Sequence, residues 1–238
     1  DSAHKLAILG SLAMRQACAL GSIDIHGITD LEITDLIAGE ELGYVCKLLA
    51  IARHHDDGLD LSVRPTFIRK SHPLAGVSGP FNGVSVYGDS VGHTLFHGRG
   101  AGGGPTASAV VADIIDVGTG NSGRVFSQWT DLPDISRSAV CRPPGENTSA
   151  FYIRVGLEDR PGGMAEIATV LGNEGISIAS LVQHDPHETH IGGAVPVVVT
   201  TRPAQDRVVR SAVRKIGDLK TVIGQVICIP TLDEHVET

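Results

Sequence analysis

The sequence predicts an α+β chain organised in two parts, and three observations carry that prediction. Residues 1–118 interleave amphipathic helical stripes with short alternating strands and close on a glycine-dense run that opens a further helix. Residues 150–232 read in the order strand, helix, strand, strand, helix, strand. The stretch between them, 119–149, is full of Gly, Ser, Pro and Arg and reads as a linker, while 233–238 reads as a tail. With 238 residues, 42% of them apolar, the chain is long enough to bury two cores.

In the first part, Asp1 stands where a helix cap belongs. Leu6, Leu9, Leu12 and Ala13 then form one apolar stripe over Asp1 to Gln16, with Asp1 and Lys5 one turn apart on a common face. Ile23 to Ile28 alternates as a short strand, and Thr34 to Leu42 reads as a helix ended by Gly43. Tyr44 to Ala52 and Leu59 to Arg64 are strands on either side of the turn His55-Asp56-Asp57-Gly58. Val84 to Tyr87 and Thr94 to His97 are two more, the first preceded by Asn82-Gly83. These strands make a mixed or antiparallel sheet.

The second part has a plainer plan. Phe151 to Leu157 alternates as a strand, and Asp159-Arg160-Pro161-Gly162-Gly163 turns the chain. Met164 to Asn173 is a helix carrying Ile167, Val170 and Leu171 inward, closed by Gly175. Strands over Ile176 to Gln183 and Val195 to Thr201 follow. An amphipathic helix over Gln205 to Ile216 then uses Val208, Val209, Ala212 and Val213, and Val222 to Ile229 is the last strand. This β-α-β-β-α-β order is the ferredoxin-like arrangement, with both helices on one face of an antiparallel sheet.

Composition narrows the function. A formal charge of −8 without any Lys/Arg cluster argues against a nucleic-acid surface, and no stretch approaches the ~20 apolar residues of a membrane span. Cys18, Cys46, Cys141 and Cys228 are scattered, so neither a disulfide framework nor a zinc site is expected, and a cytoplasmic location is. His54-His55 and the group His184, His187, His190 lack supporting cysteine or carboxylate spacing and read as solvated side chains; no metal site is expected.

The run Gly98 to Asp113 is the main functional signal. Its glycines let backbone N–H groups approach a ligand, Pro105 suits a first helical turn, and the Ala/Val series continues as a helix whose positive end faces the loop. Gly98, Gly100 and Gly103 satisfy G-x-G-x-x-G, yet no buried parallel strand follows, so a self-contained dinucleotide-binding unit is not indicated. Two readings remain at this level: a ligand loop, or a turn that caps a packed helix.

Two resemblances sharpen these readings. Leu157-Glu158-Asp159-Arg160-Pro161-Gly162 followed by Gly175-Ile176-Ser177-Ile178-Ala179-Ser180 resembles an ACT domain, the amino-acid-sensing module of many biosynthetic enzymes, over about 150–232. The family more often has a branched apolar residue where Gly163 stands. The first part resembles the catalytic and dimerisation region of homoserine dehydrogenase. The blocks that carry this are Asp1 to Leu9, Glu41 to Ala52, Ser71-His72-Pro73-Leu74-Ala75 and the glycine run, in that order.

The resemblance implies reduction of L-aspartate 4-semialdehyde to L-homoserine with NADP or NAD, in threonine and methionine biosynthesis. It makes Lys5 the catalytic acid and Asp1 the carboxylate that holds the substrate amino group. The same resemblance implies that Gly102 lies against the nicotinamide, with Gly100 aiding the close approach. The ACT resemblance implies a regulatory ligand at Asp159, Gly162 and Ser177, with L-threonine the expected effector. The homoserine dehydrogenase resemblance also implies that an N-terminal Rossmann domain holds most of the cofactor, and that a further lysine, a glutamate and a backbone site for a monovalent cation lie outside these residues. The chain by itself is therefore expected to be a C-terminal portion without turnover, and to assemble as a homodimer or homotetramer. The alternative is a non-catalytic amino-acid sensor built on the same ACT domain.

Overall fold

The computed structural model describes residues 1–128, 134–183 and 194–232. Helix α1 (Ser2–Met14) leads into strands β1 (Gln16–Ala17) and β2 (Asp24–Ile25) and then helix α2 (Ile33–Glu41), which stops where Gly43 takes φ +85°. A long hairpin follows, β3 (Tyr44–His55) and β4 (Gly58–Arg69), paired in register from Tyr44 opposite Arg69 to His55 opposite Gly58. Strands β5 (Phe81–Gly88) and β6 (Gly92–Arg99) form a separate hairpin ahead of helices α3 (Gly103–Gly118) and α4 (Asn121–Gln128). Strands β7 (Asp134–Ser138) and β8 (Thr148–Ser149) carry the chain into the second part.

That part contains β9 (Phe151–Glu158), α5 (Gly163–Asn173), β10 (Ile178–Gln183), β11 (Ala194–Thr201), β12 (Ala204–Gln205), α6 (Asp206–Gly217) and β13 (Ile227–Leu232). Its strands lie in the order β10, β11, β9, β13, every pair antiparallel, which is the expected ferredoxin-like sheet. Phe151, Ile153, Val155 and Leu157 alternate onto one face of β9. There they meet Ile167 and Leu171 of α5 and Val209, Ala212 and Ile216 of α6, all but fully buried.

Several local expectations change. On α1 the buried residues are Ala3, Leu6 and Gly10, while Leu9 and Leu12 are exposed. Small residues flank Leu6 because the helix lies close on the sheet: a Cβ on Gly10 would come within 3.8 Å of Leu61. Strand β2 is shorter than the alternation over Ile23 to Ile28 implies. It shares one edge of β4 with another strand, β2 taking Ser62 and Val63 and β13 taking Phe67 and Ile68. The last strand begins at Ile227; Val222 makes only a single bridge, to Leu157. Residues 119–149, expected as a linker, contain α4, β7 and β8. The segment is stitched to the first part, β7 pairing in parallel with β1 and Cys141 bridging to Leu59. The histidines His184, His187 and His190, and the tail 233–238, lie outside the described residues.

The pairing of β13 with both β9 and β4 makes one seven-stranded sheet of the two parts. Each face of that sheet is completed by a helix from the other part. Residue alternation places Tyr152 and Arg154 on the face of β9 away from α5 and α6, and α2 covers them. Asp35 of α2, fully buried, accepts from Arg154 Nε at 2.5 Å, Arg154 Nη2 at 3.1 Å and the Tyr152 hydroxyl at 3.2 Å. Beside it the rings of Phe67 and Tyr152 meet edge to face at 5.0 Å. In return α6 lies against the polar side of β4: Asp206 accepts from Arg64 at 2.7 Å and from Arg210 at 2.8 Å, and Arg210 reaches Asp24 of β2 at 2.6 Å.

Candidate catalytic and effector sites

Asp1 and Lys5 occupy the first turn of α1. Asp1 sits at the cap position but makes no side-chain cap bond; its carboxylate meets the Lys5 ammonium at 2.8 Å. The side chains are 82% and 64% exposed, so both project from the surface with their polar ends available. Spacing alone explains the pair, because residues four apart share a helix face. No hydrogen bond or ion pair among the described residues ties it to the glycine loop.

The loop has an internal logic of its own. The Gly100 amide donates to Pro80 O at 3.0 Å, and a Cβ on Gly100 would overlap the exposed Asn82 carboxamide, so a larger residue here would have to displace that side chain. Gly102 caps α3 with φ +120° and ψ 150°, a conformation essentially confined to glycine. Thr106 N bonds back to Gly102 O at 3.1 Å, and Pro105 lies within the first turn as expected. At Gly103 and Gly104 a Cβ would meet open space, which leaves the outer surface of the loop free to receive a flat ligand group. Below the loop, His97 stacks on Phe81 at 5.0 Å and Arg99 lies over the same ring. Nothing in the sequence singles out Phe81 or Asn82; Asn82-Gly83 is expected to precede the strand at Val84, whereas Phe81, Asn82 and Gly83 all lie within β5.

After α3 the chain enters α4 and then β7, which pairs with β1. The strand–glycine–helix–strand cradle of a dinucleotide site is therefore not formed around α3 among the described residues.

In the second part Gly162 caps α5 at φ +97° and Asp159 is exposed in the turn before it. Arg160 joins this turn to the helix through Glu166 at 2.9 Å, and Glu166 also accepts from Thr221 at 2.9 Å. Those bonds hold the Glu166 carboxyl below its ordinary range. Gly163 is buried, and the space a branched residue would occupy is taken by Leu157, 3.2 Å from a Cβ built there. Ser177 does not join Asp159 and Gly162 within one chain. It follows the far end of α5, an 11-residue helix about 16 Å long, and its carbonyl accepts from Arg202 at 2.8 Å.

The architecture and these features define a class: a mixed-sheet domain carrying an exposed acid–lysine pair and a glycine-capped helix, joined through one sheet to a ferredoxin-like module. Residues 1–115 match the homoserine dehydrogenase family and residues 151–218 match the ACT domain family. The curated relatives that match nearly the whole chain are homoserine dehydrogenases. The chain is 36% identical over 232 residues to a homoserine dehydrogenase of Pseudomonas aeruginosa, covering 96% of this chain and 53% of the relative. It is 38% identical over 232 residues to one of Synechocystis, covering 93% and 52%. The crystal structure of a homoserine dehydrogenase from Thiobacillus denitrificans superimposes with a TM-score of 0.84 at 35% identity, over 98% of this chain and 52% of that one. The chain thus spans about half the length of the curated relatives it matches.

Proposed function

We propose that this chain supplies the substrate-binding and proton-donating half of an NAD(P)H-dependent homoserine dehydrogenase, which reduces L-aspartate 4-semialdehyde to L-homoserine. The observation that carries this reading is the exposed Asp1–Lys5 pair, one helical turn apart at 2.8 Å, in a chain whose residues 1–115 match this family. The Asp1 carboxylate pairs with the substrate ammonium, releasing Lys5 from its present partner. Lys5 then lies at the carbonyl oxygen, where its ammonium stabilises the developing alkoxide and delivers a proton to it. A nicotinamide cofactor, when bound, supplies the hydride that the carbonyl carbon receives. Gly102, Gly103 and Gly104 present a surface without side chains on which its ring can rest, while the nucleotide end is held by the part of the longer enzyme outside this chain.

Further assignments belong to the same reading. The turn at Asp159 and Gly162 receives an amino-acid effector, L-threonine, with the ligand carboxylate at the N-terminus of α5 and its ammonium at Asp159. The complete protein is a cytoplasmic homodimer or homotetramer serving threonine and methionine biosynthesis. The exposed aliphatic side chains of α3, Val110, Ile114 and Val117 among them, supply surface for that assembly.

Lys5→Ala in the complete enzyme tests the central role. Loss of a general acid lowers kcat by about 10²–10⁴ with little change in KM; a kcat within threefold of the parent refutes it.

A further inference from the structure

At the seam between the two parts, the end of the β3–β4 hairpin faces the segment leading into β9 and the tip of β13 across a cleft of about 460 Å³. Arg53 and His55 come from the hairpin, and Arg142, Thr148 and Ser149 from the connecting segment. Pro203 and Thr231 of the second part close the far wall.

The donors in this cleft are under-used. Nε2 of His55 is buried and has no hydrogen-bond partner among the described residues. Arg53 is half-buried, and its nearest opposite charge is Asp60, its partner across the strand pair. Burial, together with the charge of Arg64, outweighs Asp60 and pulls the Arg53 guanidinium below its ordinary range. Arg142 spends its Nε on Asp57 at 3.0 Å and one Nη1 hydrogen on Asn147 at 3.5 Å, two of the five N–H donors a guanidinium offers. Among the described residues the one carboxylate lining the cleft is Glu146, which is occupied by Arg207 at 3.4 Å and Gln205 at 3.3 Å.

We propose that this cleft is a binding site for a small oxyanion, a carboxylate or phosphate group held by Arg53, Arg142 and His55. An acceptor oxygen entering here meets a partly desolvated guanidinium, an unspent edge of a second, and an imidazole nitrogen with no competing partner. Charge-assisted bonds of this kind are the strong ones. The hydroxyls of Thr148 and Ser149 give further donors at the rim. Because its walls come from both parts, the bound anion bridges the seam and stabilises the folded chain. The site is distinct from the turn at Asp159, which lies at the opposite end of β9.

The test uses the full chain at constant ionic strength, titrated separately with inorganic phosphate and with succinate against a sodium chloride control. The readout is the His55 ring resonance, assigned by its absence in His55→Gln. A saturable shift with phosphate, succinate or both supports the site, and the pattern identifies which oxyanion it takes. Arg53→Gln and, independently, Arg142→Gln each weaken that binding about tenfold or more, whereas Lys70→Gln on the distant surface leaves it unchanged. No saturable shift beyond the chloride control overturns the proposal, as does a shift that survives both arginine variants at parental affinity.

Discussion

Asp35→Ala is the sharpest perturbation of this molecule. In the parent, the Asp35 carboxylate takes both Arg154 contacts and the Tyr152 hydroxyl, and its Oδ2 also receives the Glu32 amide at 3.0 Å. Burial pulls the Arg154 guanidinium down, and the bonded Asp35 carboxylate more than offsets it; the same carboxylate joins burial in pushing the Tyr152 phenol up. Without Asp35 the guanidinium keeps, among the described residues, its ion pair with Glu32, at 3.4 Å and itself 47% exposed. Removing one partner of a buried ion pair costs about 3–5 kcal/mol, because the other charge is stranded. For a chain of this size each kcal/mol lowers Tm by about 2–4 °C, so a fall of roughly 6–20 °C is expected by calorimetry. Arg154→Met alone strands the carboxylate in turn, and the double variant Asp35→Ala/Arg154→Met recovers part of the loss, with a coupling of about 0.5–3 kcal/mol in urea unfolding. A loss below about 1 kcal/mol for Asp35→Ala, or strict additivity in the double variant, would show that the two parts are not held together by this pair.

Acid should loosen the same seam. Arg210 and Arg64 bonds outweigh burial at Asp206, and His26 and Arg210 do so at Asp24, so both carboxyls lie below their ordinary range. A group whose folded pKa is depressed binds fewer protons folded than unfolded. Its stability contribution is therefore complete above the unfolded value of about 3.9 and is lost as pH falls through the folded one. Urea unfolding between pH 6 and pH 2 should show that loss in the parent and a flatter profile in Asp24→Asn/Asp206→Asn; identical profiles would count against it. Gly102→Ala places an alanine in a backbone conformation costing about 1–3 kcal/mol, and in the complete enzyme it should raise KM for NADPH beyond what the stability loss explains. An unchanged KM at lowered Tm would leave Gly102 a purely structural cap. The chain alone should bind NADPH too weakly for calorimetry, and micromolar binding would place a nucleotide cradle within these residues.

What the sequence told and withheld follows from what a period can encode. Alternation over Phe151 to Leu157 placed the odd residues in a core, and they are there. The same alternation left Arg154 in a slot that normally faces water, and it is buried because α2 covers that face. Strand β4 repeats the lesson: Leu59, Leu61 and Val63 alternate with Asp60, Ser62 and Arg64, yet all six are buried, Arg64 on Asp206 of α6. A period of two states which side chains share a face, and is silent on whether that face meets solvent or another part of the chain. Asp35 and Arg154 are 119 positions apart, and nothing local in either segment names the other. The candidate site divides in the same way. The one-turn spacing of Asp1 and Lys5 is local and the structure keeps it, whereas the cap conformation of Gly102 and the separation of Ser177 from Gly162 by the length of α5 are not legible in the sequence.

Helix α3 inverts this pattern and bears on assembly. Its 16 residues include Val110, Val111, Ile114, Ile115 and Val117, and none of its residues is buried. A helix of this length is marginal in water on propensity alone and normally owes its stability to packing of an apolar face. Here the apolar face is the one left open, while arginines and aspartates fill the seam inside. Polar residues line the contact between parts that this chain contains, and aliphatic residues line the surface that it does not cover. That distribution is what a piece of a larger assembly requires, so α3 should gain most of its protection from amide exchange only when the remainder of the enzyme is present. Slow exchange along α3 in the 238-residue chain by itself would contradict that account.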